Sequence, residues 1–143
     1  MYKHILVAVE NSSADRTILD HVVPLAQLTG ADLLLVHVAD GWAARHYDEL
    51  MLRESEEMKE DRAYLEQLRT DLTAQGLTVQ TKLAAGDPAK ELIRAAEEAG
   101  VDLIAMATHG HRFINDLLRG QTVDHVRHVI RIPVLLLRAH DAK

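Results

Sequence analysis

Two glycines with nine residues between them, Gly110 and Gly120, follow an apolar run that ends in Ala107-Thr108. Glycines placed after a strand and at a helix start let backbone N–H groups approach an anion closely. Arg112 and Arg119 lie between them, and Arg127 and Arg131 follow, in a chain of net charge −6. Arginine offers forked hydrogen bonds to phosphate oxygens, and a helix beginning near Gly120 adds its dipole. This stretch reads as an anion-binding loop. Glu10, just after the first apolar run, is the acidic residue with a chemical use if the two runs are neighbours.

The totals set the frame. The chain has 143 residues, 48% of them apolar, only 3% aromatic, and no cysteine. One domain spanning 1–143 is expected, with a core of Leu, Val, Ile and Ala. The cysteine count excludes a disulfide framework, a thiolate metal site and a cysteine nucleophile. The pI near 5.8 argues against nucleic acid as a partner. No apolar run reaches the roughly 18 residues of a membrane span, and MYKHILVAVE does not read as a signal peptide. A cytoplasmic location is the expectation.

Five apolar runs must position the loop: ILVAV at Ile5–Val9, LLLVHV at Leu33–Val38, VQTKL at Val79–Leu83, LIAMA at Leu103–Ala107, and PVLLL at Pro133–Leu137. The unbroken runs suit strands buried on both faces, and the alternating third run suits an edge. Helices are predicted between them. The first is capped at Ser12 or Ser13, carries Ile18, Val22, Leu25 and Ala26 inward, is kinked by Pro24 and stops at Gly30. The charged stretch RESEEMKEDR is predicted to be a solvated helix face, continuing through Leu65, Leu68 and Leu72 to Gly76. Asp87 and Pro88 start a helix whose inward stripe is Leu92, Ile93, Ala96 and Ala99. A last helix should bury Val123, Val126, Val129 and Ile130. Strands alternating with helices predict an α/β fold of three layers around an open parallel five-stranded sheet. Ligands of such sheets bind beyond the strands' carboxyl ends, where strand order reverses.

ILVAVENS, LLLVHV, GDPAKEL, and MATHG followed by nine residues and a glycine, with PVLLLR closing, together resemble the universal stress protein family. The resemblance covers nearly the whole chain. It implies strand order 3-2-1-4-5 in a Rossmann-like, adenine nucleotide alpha hydrolase-like fold, and a homodimer through the fifth strand, Pro133–Leu137. It also implies a stress-response regulatory domain that binds ATP or its relatives AMP and ADP, with Mg²⁺ as accompanying ion. Mapped residue by residue, Glu10 stands where the family has a ribose-binding Asp, Val38 keeps its place near the base, and Ala8 and Val9 line the adenine side. Ala107, Thr108, Gly110, His111, Arg112, Arg119, Gly120, Gln121 and Thr122 occupy the phosphate motif. Ala107 replaces its first glycine and Gln121 its Ser/Thr, with Thr122 one place on.

No catalytic residue and no metal ligand is assigned. Ser12 and Ser13 lack a nucleophile elbow. His109-x-His111 and His125-x2-His128 lack the further ligands zinc needs, and His37 reads as a satisfied core histidine. A dimeric interaction module without nucleotide is the alternative, a slow ATPase the weaker one, and client proteins stay unnamed.

Overall fold

The computed structural model describes residues 1–40, 47–108, 125–127 and 129–139. Five strands form one parallel sheet: β1 (His4–Ala8), β2 (Asp32–Asp40), β3 (Val79–Gly86), β4 (Leu103–Thr108) and β5 (Val134–Arg138). Their order is β3-β2-β1-β4-β5, as expected. The helices are α1 (Ala14–Thr29), α2 (Tyr47–Thr73) and α3 (Pro88–Ala99), and residues 125–127 and 129 are also helical. No helix among the described residues is long and apolar enough to cross a membrane.

The period-2 direction of strand side chains divides the core in two. Ile5, Val7, Val9, Leu33, Leu35, Leu103 and Ala105 meet Ile18, Val22 and Ala26 of α1 and Leu65 and Leu72 of α2. Leu6, Ala8, Val36, Val38, Ile104 and Met106 meet Leu92, Ile93 and Ala96 of α3, and Val126. Because β1, β2 and β4 are covered on both faces, their runs carry almost no polar residue. Each fully buried side chain such as Leu6 or Ile104 contributes about 1.5–3 kcal/mol through removal from water.

Start and stop signals act largely as read. Asp87 accepts a hydrogen bond from Lys90 N at 2.9 Å and Pro88 opens α3. Gly30 and Gly100 close α1 and α3 in the left-handed conformation, which costs glycine no steric strain. Of the two serines expected at the start of α1, Ser13 makes no side-chain cap bond, while Ser12 Oγ accepts from Ala14 N at 3.2 Å. Helix α1 runs through Pro24 as one element, with Pro24 on its exposed face. Two expected core positions are exposed, Ala99 at the end of α3 and Val129 after Val126, while Ala95 is buried instead. Both exposed positions sit at helix termini, where the stripe runs off the sheet.

Asp102 ties the start of β1 to that of β4, accepting from Lys3 N at 2.9 Å and His4 N at 3.1 Å. Desolvation raises its pKa, but the backbone hydrogen bonds together outweigh that and hold it below the usual carboxylate value.

Candidate functional site

The sheet changes direction at β1: β2 and β3 lie on one side of it, β4 and β5 on the other. Between β2 and β3 eight residue pairs stay in register, Leu33–Val79 through Asp40–Gly86. Between β1 and β4 only three do, ending at Val7–Ala105. Beyond that point β1 follows β2, since Val9 N donates to Val36 O at 2.9 Å. The end of β4 follows β5, since Ala139 N donates to Thr108 O at 2.9 Å. The sheet therefore parts into a crevice at its carboxyl edge. Continuing the β1–β4 register by count sets Glu10 level with Thr108. The topological switch point and the sequence-derived pair coincide.

Of the residues singled out, Ala8, Val9, Glu10, Val38, Ala107 and Thr108 are placed. Glu10 and Thr108 are half-buried on the two lips of the crevice. Ala8 and Val38 share the face carrying Met106 and Val126, whereas Val9 and Ala107 belong to the opposite face, under α1 and α2. Ala107 lies buried inside β4, and its φ is not positive, so alanine fits there without backbone strain. Gly110, His111, Arg112, Arg119, Gly120, Gln121 and Thr122 lie outside the described residues, as do His109, Val123 and His128.

The lip at Glu10 is built by Asn11, from the ILVAVENS run, and by Asp15 and Tyr64, which belong to no motif. Asn11 adopts φ 61°, and among the described residues no other non-glycine has positive φ. Asparagine tolerates this left-handed region better than most residues. Asp15, buried in the first turn of α1, turns back and accepts from Glu10 N at 2.8 Å and Asn11 N at 2.9 Å. Tyr64 of α2 donates its hydroxyl to the same carboxylate. Ser12 Oγ donates to Glu10 Oε2 at 3.3 Å. Burial pushes the Asp15 carboxyl above its ordinary value, while the bonds from Tyr64 and the loop amides pull the other way. Burial, and then the Asp15 carboxylate, raise the Tyr64 phenol far above its ordinary value.

His37 is the satisfied core histidine that its place in β2 suggested. Its Nδ1 lies 3.0 Å from Val9 O and its Nε2 3.2 Å from Asp61 Oδ2. A carbonyl only accepts, so Nδ1 donates to Val9 O, and Nε2 faces the Asp61 carboxyl. Asp61 corrects the reading of RESEEMKEDR as a solvated face: it is buried, while Lys59, Glu60 and Arg62 around it are exposed. A polar residue in an apolar strand needs a partner, and α2 supplies one. That requirement was the available signal for Asp61.

Elsewhere, an open groove of about 740 Å³ follows the outer edge of β3, lined by Glu66, Arg69, Gln80, Lys82 and Glu98. It borders the amino half of β3, away from the carboxyl edge. Its charges are largely paired, Arg69 with Glu66 at 2.7 Å and Lys82 with Glu98 at 3.5 Å. Among the described residues no group of three His, Cys, Asp or Glu side chains is arranged to hold a metal ion.

The family model for the universal stress protein family matches residues 1–138. The chain belongs to the universal stress protein family. It is 27% identical over 162 residues to universal stress protein MJ0577 of Methanocaldococcus jannaschii, covering 99% of this chain and 98% of that protein. The solved structure of MJ0577 superposes with a TM-score of 0.81 at 26% identity over 99% of both chains. A universal stress protein family structure from Burkholderia pseudomallei gives 0.74 at 29% identity, covering 95% of this chain and 96% of that one. A universal stress protein from Archaeoglobus fulgidus, solved in complex with dAMP, shares the fold at 22% identity with a TM-score of 0.67, covering 94% of this chain and 97% of that one. Five parallel strands in the order 3-2-1-4-5 are thus common to this universal stress protein and its neighbours.

Proposed function

We propose that this universal stress protein binds an adenine nucleotide, ATP foremost, as the regulatory ligand of a stress response. The observation that carries the reading is the parting of β1 and β4 after Val7–Ala105, with Glu10 and Thr108 on opposite lips. The dAMP complex of the Archaeoglobus fulgidus protein is consistent with that ligand class. In this reading Glu10 accepts from the ribose hydroxyls. Ala8, Val9 and the Val38 backbone flank the base. Ala107, Thr108, Gly110, His111, Arg112, Arg119, Gly120, Gln121 and Thr122 form the phosphate side. The oxygen donors at Glu10 and Thr108 suit a hard cation such as Mg²⁺, held mainly by phosphate.

Titration calorimetry of the purified protein with ATP and Mg²⁺ tests this. Binding is expected, with Glu10→Ala weakening it about ten- to a hundredfold, the worth of a hydrogen bond to a charged group. No heat at millimolar ATP would remove the reading. The second reading, a dimeric interaction module without nucleotide, is motivated by Gln121 in place of a hydroxyl. Mass spectrometry of small molecules released from fresh protein separates the two.

Among the described residues β5 pairs only with β4 and lies at the edge of the sheet. An apolar edge strand invites pairing with another chain, and we propose a homodimer through Pro133–Leu137. Sedimentation should give twice the chain mass at micromolar concentration; monomer alone would exclude it.

A further inference from the structure

Three elements converge on the three residues Val9, Glu10 and Asn11. From β2, His37 holds the Val9 carbonyl; from α1, Asp15 holds the Glu10 and Asn11 amides. From α2, Asp61 Oδ1 accepts from Asn11 Nδ2 at 3.3 Å. Asp61 is therefore divided: one oxygen serves His37 and the other reaches the loop. A carboxylate needed only to pair a buried histidine has no use for the second contact. Its effect is to tie both neighbours of Glu10, Val9 through His37 and Asn11 directly, to one group on α2. Asn11 also has the strained backbone of the loop, and a side-chain tie selects that conformation over the extended alternative.

The geometry points to Asp61 as a positioning residue of the crevice, one that sets the Glu10 carboxylate for ribose hydroxyls by holding Asn11 in its left-handed turn. It touches no ligand. Its ribose arm rests on the nucleotide reading above, and its loop-holding arm does not. Asparagine should replace Asp61 well, because its carbonyl can still accept from Asn11 while its amide donates to a neutral His37 Nε2. Alanine supplies neither contact.

The test compares the unaltered protein with Asp61→Ala and Asp61→Asn in two readouts. The first is affinity for ATP against 2′,3′-dideoxyATP, which lacks both ribose hydroxyls. The unaltered protein should prefer ATP by about tenfold or more. Asp61→Ala should bring the ratio close to one while leaving dideoxyATP affinity nearly unchanged, and Asp61→Asn should restore the preference. The second is amide hydrogen exchange at Glu10 and Asn11 without ligand, expected to quicken at least about tenfold in Asp61→Ala and not in Asp61→Asn. A role confined to stability would lower the melting temperature and weaken both nucleotides equally, which would overturn the proposal. Unchanged exchange at Asn11 in Asp61→Ala would overturn it too. If the unaltered protein binds neither nucleotide, the nucleotide reading falls, and the exchange measurement still decides the loop-holding role.

Discussion

Replacing Asp15 with alanine is expected to destabilise the protein by about 3–5 kcal/mol, since each buried donor left without a partner costs about 1–3 kcal/mol. Its carboxylate is buried and satisfies two loop amides and the Tyr64 hydroxyl at once. At this chain length the melting temperature should fall by about 10 °C or more. Circular dichroism melts measure this, and a loss below about 1 kcal/mol would show that water replaces the carboxylate freely. The pH dependence has a definite sign. Burial raises the Asp15 pKa in the folded state, so the unfolded chain releases this proton first as pH rises. Its contribution is therefore full below the unfolded value, about 3.9, and declines as pH climbs through the folded value. Asp15→Asn should abolish that part of the slope.

The second large effect concerns His37 and Asp61. His37→Leu leaves a buried carboxylate without its main partner and the Val9 carbonyl without a donor. Breaking one side of such a pair costs about 3 kcal/mol. The double variant His37→Leu/Asp61→Leu removes both polar groups and should be more stable than His37→Leu alone. Urea titrations of the four proteins give the coupling energy, expected at about 1–3 kcal/mol. Additive losses would mean that the pair does not act as a unit.

These residues also mark where sequence reasoning reached and where it stopped. The strands were legible because parallel strands covered on both faces must be apolar throughout, as in ILVAV and LLLVHV. Asp87-Pro88 was legible because capping is local. Asp61 was not, since which turn of a charged helix faces inward depends on a histidine 24 positions away. Residue type alone does not choose between Ser12 and Ser13, whereas in the structure the start of α1 is organised by Ser12 and by Asp15 turning back. Of the crevice, Glu10 and Thr108 were found through the family pattern and strand order. Asn11, Asp15 and Tyr64 shape the same lip; Asn11 falls within ILVAVENS, while Asp15 and Tyr64 belong to no motif. Their roles arise from contacts between α1, α2 and the end of β1.

The bond from Tyr64 to Asp15 also gives the molecule a built-in optical gauge. The chain has three tyrosines, and Tyr64 is one whose phenol is set against a carboxylate and partly withdrawn from water. An unfolded tyrosine ionises near pH 10, but in the folded protein Tyr64 keeps its proton well above that. Between those values the unfolded chain sheds a proton that the folded one retains, so alkali draws the equilibrium toward unfolding. Ultraviolet absorbance of tyrosinate then records the event directly: the share belonging to Tyr64 arrives only as α2 lets go of the loop. Loss of the Tyr64–Asp15 contact at the lip of the crevice is thus expected to appear as a late rise in tyrosinate absorbance when alkali unfolds the chain.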